Sequence, residues 1–256
     1  MKLTQRNYFS KKANQLYMSC SQFKKFEKCQ HSALAELEGL YAPEETTALL
    51  VGKYVDSYFE GNQEAFRSEH PEMFKRDGTL KAEYIKADEV VERVKRDRLW
   101  MEYATGKQQV IMTGNIAGVD VKIMIDSLHP DKIVDRKIMK DFENVYVADK
   151  GSVPFFEAWG YDLQGAIYQE IVRQNTGLKL PFYLAAATKE KTPDIDIIRI
   201  NQKTLDFALN HFANEAPMYD AIKNGIVEPE RCGKCDYCKE TKTITEPNDS
   251  DDYYLI

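Results

Sequence analysis

The chain has 256 residues, of which 43% are hydrophobic and 30% charged, and its formal net charge is −6. This length suits one large domain with a buried core, and no run approaches the roughly 20 apolar residues of a membrane-spanning helix. Residues 1–8 lack the apolar core of a signal peptide, so we expect a cytoplasmic protein without a membrane partner. The acidic total neither supports nor excludes nucleic-acid binding, because an acidic protein can carry a local basic stripe.

Helical spacing dominates the first half of the chain. Apolar residues at roughly helical intervals predict three helices, at about 22–40, 45–60 and 81–103. Ser19 offers a cap near the start of the first helix, and Gly61 ends the second.

The pattern then changes to a period of two residues. Apolar side chains recur in this way in the stretches 109–113, 119–126 and 132–137, and turns around Gly118 and Pro130 separate the stretches. This spacing predicts three strands in an antiparallel meander.

The rest of the chain returns to helices and adds two strands. We predict a helix at about 155–175, strands at 181–188 and 194–200, and a last helix at about 202–224. This order of elements predicts a mixed α/β fold. We assign residues 1–240 to a single domain and residues 241–256 to an acidic tail that is solvated and mobile.

Two aspartates and a lysine stand near the ends of the second and third predicted strands. Asp135 and Lys137 are two residues apart, so they project from the same face, and an antiparallel neighbour can bring Asp126 beside them. Paired carboxylates repel each other unless a cation separates them. Such a pair suits Mg²⁺ and phosphate oxygens, and a lysine can orient water or neutralise charge on the phosphate. Taken alone, the Asp-x-Lys pattern also fits an exposed ion pair without a function.

These residues stand in the order of a known signature. Asp126, a hairpin and Asp135-x-Lys137 resemble the signature of the PD-(D/E)XK nucleases. Residues 52–60 resemble the G-x-x-x-H-x-x-x-E helix of the RecB-like branch, and residues 164–168 resemble its Q-x-x-x-Y helix. Together they make the chain similar to the phage-type RecE-like exonucleases, the exodeoxyribonuclease VIII PDDEXK-like group.

This resemblance covers about residues 19–238 and implies a restriction-endonuclease-like core, a mixed sheet with an antiparallel meander flanked by helices. It also implies roles for single residues. The implied metal ligands for Mg²⁺ or Mn²⁺ are Asp126, Asp135, the main-chain carbonyl of Arg136 and, in the position of the family's histidine, Asp56. The implied catalytic group adds Lys137, Gln164 and Tyr168, the last two contacting DNA or ordering the lysine.

Some of these residues have simpler interpretations. Asp56 replaces a histidine, so it and Glu60 could equally form the polar face of a helix. Gln164 could be a solvated side chain and Tyr168 a core residue.

The cysteines suggest a second metal site. Cys232, Cys235 and Cys238 lie within seven residues, and in an intracellular chain such spacing favours Zn²⁺ or an iron–sulfur cluster over disulfides. Both need a fourth ligand, for which Cys29 is the best candidate, whereas Cys20 is an ordinary thiol. Three unligated thiols are the alternative.

The segment 21–29 resembles the N-terminal serine-aromatic-cysteine segment of AddB-like nucleases. In that branch one early and three late cysteines hold a [4Fe–4S] cluster, so the resemblance implies a structural cluster here. The chain departs from the branch because its late cysteines are spaced C-x₂-C-x₂-C instead of C-x₂-C-x₅-C, which leaves Zn²⁺ open.

The leading functional hypothesis is a Mg²⁺-dependent exodeoxyribonuclease that hydrolyses phosphodiester bonds. The resemblance further implies resection of double-stranded DNA ends for recombination, with a single-strand annealing protein as partner, and it is compatible with a homo-oligomer. Two alternatives remain: a DNA-end-binding recombination scaffold that kept the fold and lost cleavage, and a redox or iron–sulfur protein defined by the cysteines alone.

Overall fold

The computed structural model of the protein describes residues 1–148, 150–247 and 249–250. The predicted acidic tail lies partly outside these residues, at 248 and 251–256, and the domain limits stay a prediction. In the described ranges, no helix combines the length and the apolar character needed to cross a membrane.

Helices occupy most of the first half of the chain and return in the second half. In chain order they are α1 (Lys11–Leu16), α2 (Cys20–Lys28), α3 (Gln30–Glu38), α4 (Thr47–Phe59), α5 (Gln63–Glu69), α6 (Ala82–Val94), α7 (Arg98–Ala104), α8 (Phe155–Ala158), α9 (Tyr161–Thr176), α10 (Gln202–Lys223) and α11 (Asp236–Glu240). Side-chain caps begin several of them: Ser19 accepts the backbone N–H of Gln22 at α2, and Asn201 accepts that of Thr204 at α10. Such caps satisfy donors that a helix start leaves free.

A five-stranded mixed sheet forms the centre of the molecule. The strands in chain order are β1 (Lys107–Ile116), β2 (Val119–Leu128), β3 (Ile133–Met139), β4 (Val145–Val147), β5 (Gly151–Val153), β6 (Phe182–Thr188) and β7 (Ile195–Arg199). The sheet order is β1-β2-β3-β6-β7, and β4 pairs with β5 separately. Only β3 and β6 run parallel, while the other neighbours in the sheet are antiparallel. The predicted meander and the predicted mixed α/β fold are confirmed.

Helices cover both faces of this sheet because the central strands are apolar on both sides. On β6, Phe182 and Leu184 face a core that includes Ile167 of α9 and Phe212 of α10. The alternate residue Ala185 faces a second core, which α6 and α7 complete. A strand buried on both faces has no solvated side, which explains the continuous apolar run of β6. The sheet therefore holds the residues of β3 and β6 rigidly between two helical layers.

Three predicted helices are wrong as single helices, because each is broken. The predicted helix 22–40 is interrupted at Cys29, whose backbone is extended and whose Sγ accepts the N–H of Ser32, so the residue caps α3. The predicted helix 81–103 ends at Val94, and Asp97 caps a new start at α7. The predicted helix 155–175 is divided at Gly160, which adopts a left-handed conformation with φ of 64°. Such a φ favours glycine.

Candidate active site

The two predicted aspartates lie where β2 and β3 separate. These strands pair only at residues 127–128 with 133–134. Continued by one residue, this register would place Asp126 opposite Asp135, but the two strands are no longer paired there. Strand β3 stays paired with β6 from Ile133 to Met139. The divergence of β2 from β3 therefore opens a gap beside the two carboxylates.

Asp135 forms the buried side of this gap and is only 1% exposed. Its Oδ1 accepts a hydrogen bond from Gln164 Nε2 at 2.7 Å. Its Oδ2 lies 2.5 Å from Lys137 Nζ, but no group among the described residues donates it a hydrogen bond of acceptable geometry. Burial raises the pKa of Asp135 to about 6; Lys137 opposes the shift and Asp126 adds to it. Ionising a buried carboxylate costs free energy, and a further cation beside it would offset part of that cost.

Lys137 presents the positive charge of the site. Its side chain is 20% exposed, and its Nζ lies 5.0 Å from the centre of the Tyr161 ring. Burial alone would lower the pKa of Lys137, but Asp135 and Asp126 outweigh burial and raise the pKa above its ordinary value. The ammonium therefore keeps its proton at neutral pH and can act as a fixed cation.

Arg136 connects β3 to helix α4. Its backbone N–H donates to Asp126 Oδ2 at 3.0 Å, which orients that carboxylate. Its buried guanidinium pairs with Asp56 at 3.2 Å, donates to Gln108 Oε1 at 2.5 Å and lies 4.9 Å from the ring centre of Phe59. A guanidinium held from several sides in this way is immobile, so it also fixes Asp56.

Helix α4 places Asp56 and Glu60 one turn apart, near the site. Burial and repulsion by Asp126 raise the pKa of Asp56 to about 7, although 37% of its side chain is exposed. Glu60 accepts hydrogen bonds from Asn62 and Gln109. Among the described residues, the four cysteines form the group of three or more His, Cys, Asp or Glu side chains that could hold a metal ion, and no set of three carboxylates does so. Asp56 therefore reaches the site through Arg136, and its predicted role as a metal ligand stays a prediction.

The predicted pair Gln164 and Tyr168 lies on α9 and faces the gap. The Tyr168 hydroxyl donates to the carbonyl of Met124 at 2.8 Å and is 3.1 Å from Gln164 Nε2, which in turn contacts Asp135. Tyr168 is 8% exposed. The structure thus brings both residues to the site, where they order Asp135 rather than Lys137.

The donor set fits a hard divalent cation. Mg²⁺ and Mn²⁺ prefer oxygen ligands from one or two carboxylates together with phosphate and water. Asp126 is half-buried and Asp135 is buried where β2 and β3 separate, and Oδ2 of Asp135 lacks a hydrogen bond. An ion there would relieve the repulsion between the two carboxylates.

The cysteine cluster lies apart from this gap. The sulfur atoms of Cys29, Cys232, Cys235 and Cys238 all lie within 4.8 Å of one another, among the described residues, and this set can hold a metal. The backbone N–H groups of Lys234 and Cys235 lower the pKa of the Cys232 thiol to about 6. The structure thus brings the predicted fourth ligand to the three late cysteines.

Two contributors to the site were missed by sequence reasoning. Tyr161 lies against the Lys137 ammonium, and the Arg136 side chain, not only its carbonyl, fastens β3 to Asp56 and Gln108. Tyr161 begins α9 and lies three residues before Gln164, on the same helix face, and this spacing was the available signal for the tyrosine. Nothing in the local sequence indicated the partners of Arg136, which lie 28 and 80 residues away.

A mixed sheet flanked by helices, with Asp126 on one strand and Asp135-x-Lys137 on the next, defines a nuclease of the PD-(D/E)XK class. The sequence agrees with this fold. The chain belongs to the family described as the PDDEXK-like domain of unknown function (DUF3799), whose model matches residues 19–241.

Comparison with solved structures gives the same class. A crystal structure of a protein from Eubacterium rectale, described as a candidate exonuclease, is 44% identical, with a TM-score of 0.95 over 99% of this chain and 98% of that chain. The structure of the protein SSO0001 aligns over 85% of this chain and 91% of that chain, but with 15% identity and a TM-score of 0.28 it supports no conclusion. No curated protein matches the chain.

Proposed function

We propose that this nuclease is a metal-dependent exodeoxyribonuclease that hydrolyses phosphodiester bonds at the ends of duplex DNA. The observation that carries the proposal is the buried Asp135, whose two oxygens face Gln164 and Lys137 beside the gap shared with Asp126. A divalent cation held by Asp126, Asp135 and the Arg136 carbonyl would polarise the scissile phosphate and acidify an attacking water.

The chain's own residues supply the rest of the chemistry. Because its pKa is raised, Lys137 acts as a cation toward the phosphate and its water rather than as a base. Gln164 and Tyr168 hold Asp135 in place, and Arg136 holds Asp126 through its backbone N–H. Such prearranged groups lower the barrier because they need no reorganisation during the reaction.

A groove of about 500 Å³ next to Lys137 supports the choice of DNA ends as substrate. Its lining includes Ile138, which follows Lys137, and Tyr161, whose ring contacts Lys137. Two exposed aromatic residues, Trp159 and Tyr146, also line the groove. Trp159 is 54% exposed and Tyr146 is 77% exposed. Bases of an unpaired strand stack on such side chains without regard to sequence. The groove would therefore accept the frayed strand of a duplex end.

The finer parts of the proposal follow the family resemblance. Digestion would be processive resection of duplex ends in the manner of RecE-like exonucleases, and the product strand would pass to an annealing protein. The relative from Eubacterium rectale, described as a candidate exonuclease, supports the exonuclease part of the proposal.

The test compares two DNA substrates of the same sequence, one linear and end-labelled, the other a covalently closed circle. With Mg²⁺ or Mn²⁺ we expect the linear duplex to be degraded and the circle to remain intact, and a chelator should stop the reaction. Asp135→Asn and Lys137→Met are the inactive controls. Equal cutting of the circle would overturn the exonuclease assignment, and tight end binding without cleavage would support the scaffold instead.

A further inference from the structure

The four thiols outside the catalytic gap lie unusually close together. The sulfur of Cys29 is 3.5 Å from that of Cys238 and 3.7 Å from that of Cys235, and the sulfurs of Cys232 and Cys238 are 4.0 Å apart. No pair of the four exceeds 4.8 Å in this described part of the chain. The four sulfurs are therefore close enough for a single ion between them to bind all four after small side-chain adjustments.

These separations match one tetrahedral ion. A zinc–sulfur bond of about 2.3 Å in a tetrahedron places the ligand sulfurs about 3.8 Å apart. In a [4Fe–4S] cluster each thiolate binds a different iron and the four point outward from the cube, so their sulfurs must lie much farther apart. The cysteines of this chain do not leave room for the cluster that the family resemblance implied.

The backbone around the thiols also has the form of a metal knuckle. The sulfur of Cys232 accepts the N–H groups of Lys234 and Cys235 at 3.4 and 3.3 Å, and Gly233 between them has a φ of 71°. The sulfur of Cys235 accepts the N–H of Cys238 at 3.4 Å. Donors aimed at sulfur stabilise the thiolate form, which is the form that binds metal.

We propose that Cys29, Cys232, Cys235 and Cys238 hold one tetrahedral Zn²⁺ ion that joins the first helices of the domain to the segment after α10. Four protein ligands close the coordination sphere, so the ion is structural and takes no substrate.

The site connects residues 209 positions apart in sequence, and α2, the helix at one of the two ends, contacts the catalytic region. Cys29 directly follows α2, and Lys24 of α2 donates to the carbonyl of Trp159 at 2.9 Å. The same ammonium lies 5.9 Å from the ring centre of Tyr161, the residue that faces Lys137. Loss of the ion would therefore loosen α2 and, through it, the start of α9.

The first measurement is the metal content of the full chain, purified without oxygen from cells supplied with both iron and zinc. We expect one zinc per chain, no acid-labile sulfide and no visible absorption. Growth with Co²⁺ should give the visible bands of a tetrahedral cobalt–thiolate site, which tests the geometry in the unmutated chain. Iron in any form at these thiols, a disulfide among them, or a metal-free protein would overturn the proposal.

The second measurement uses variants. Cys29→Ser and Cys235→Ser should lose the zinc and lower the melting temperature by about 5 °C or more, because binding free energy is part of folding free energy. Cys20→Ala is the matched control, since Cys20 is a buried cysteine of α2 outside the cluster, and it should keep one zinc per chain. Retention of full zinc by both serine variants would contradict the assignment of these ligands. If a serine variant does not fold, the cobalt spectrum of the unmutated chain decides.

Discussion

The close approach of α9 to the sheet offers a sharp test of how the site is positioned. Gly165 lies on α9 directly after Gln164, and a Cβ at this position would be 2.4 Å from Cδ1 and 2.7 Å from Cε1 of Phe182. Phe182 is fully buried on β6, so its ring cannot move into solvent. In Gly165→Ala, either α9 or the ring must therefore shift.

The expected change in the free energy of unfolding results from two opposing effects. Overpacking a core destabilises the fold by about 1–3 kcal/mol, whereas alanine in place of a helical glycine stabilises it by about 1 kcal/mol. We expect a net loss of up to about 2 kcal/mol in the free energy of unfolding. The effect on catalysis should be larger, because Gln164 is only 2.7 Å from Asp135 and a displacement of about 1 Å can cost about 100-fold in rate.

Urea unfolding and single-turnover cleavage of linear duplex measure the two effects. Gly52→Ala on α4 is the control for stability, because a Cβ there meets nothing within 4 Å and should stabilise by up to about 1 kcal/mol. Adding Phe182→Leu to Gly165→Ala makes room for the methyl group, so the double variant should cleave faster than Gly165→Ala alone. The reasoning fails if Gly165→Ala is as stable and as active as the unmutated chain.

Three further outcomes are expected. Lys137→Met should lower the cleavage rate at least about 100-fold, since the fixed cation is lost. Normal turnover would remove Lys137 from the mechanism. Burial raises the pKa of Asp135 to about 6, so below this pH its carboxyl must release a proton before a cation binds. The affinity for Mn²⁺ should therefore fall as the pH drops below about 6. Calorimetry that gives the same Mn²⁺ affinity on both sides of this pH would contradict Asp135 as a metal ligand. Trp159→Ala should weaken binding to DNA with an unpaired end by about 1–3 kcal/mol. Binding to a blunt, hairpin-closed duplex should not change. An equal loss of affinity for both DNAs would rule out stacking on Trp159.

The sequence was informative where the signal is local or periodic. The alternation of side chains placed the meander, and the i to i+2 relation placed Asp135 and Lys137 on one face, where their charged atoms are indeed 2.5 Å apart. The one-turn spacing of Gln164 and Tyr168 likewise predicted that both face the same side, as the hydrogen bond distance of 3.1 Å shows.

Contacts between residues far apart in the sequence could not be predicted from local patterns. The break at Cys29 is hidden by apolar periodicity on both sides, because the reason for it is a sulfur that caps α3 and meets Cys238 across the fold. The spacing of the cysteines could indicate a metal but could not choose between an ion and a cluster, since that choice depends on distances between sulfurs. The sequence likewise gave no indication of which residues bind the Arg136 guanidinium.

The charges around the gap, including the buried guanidinium of Arg136, influence the order in which the metal ion and DNA bind. With every group ionised, the four carboxylates of Asp56, Glu60, Asp126 and Asp135 exceed the two cations Arg136 and Lys137, which leaves a net charge of two minus around the gap. An anionic phosphodiester is then repelled by the gap, whereas one divalent cation cancels the excess negative charge and removes this repulsion. The cation and the DNA should thus raise each other's affinity reciprocally, and this linkage would keep the protein from occupying DNA that it is not equipped to cut.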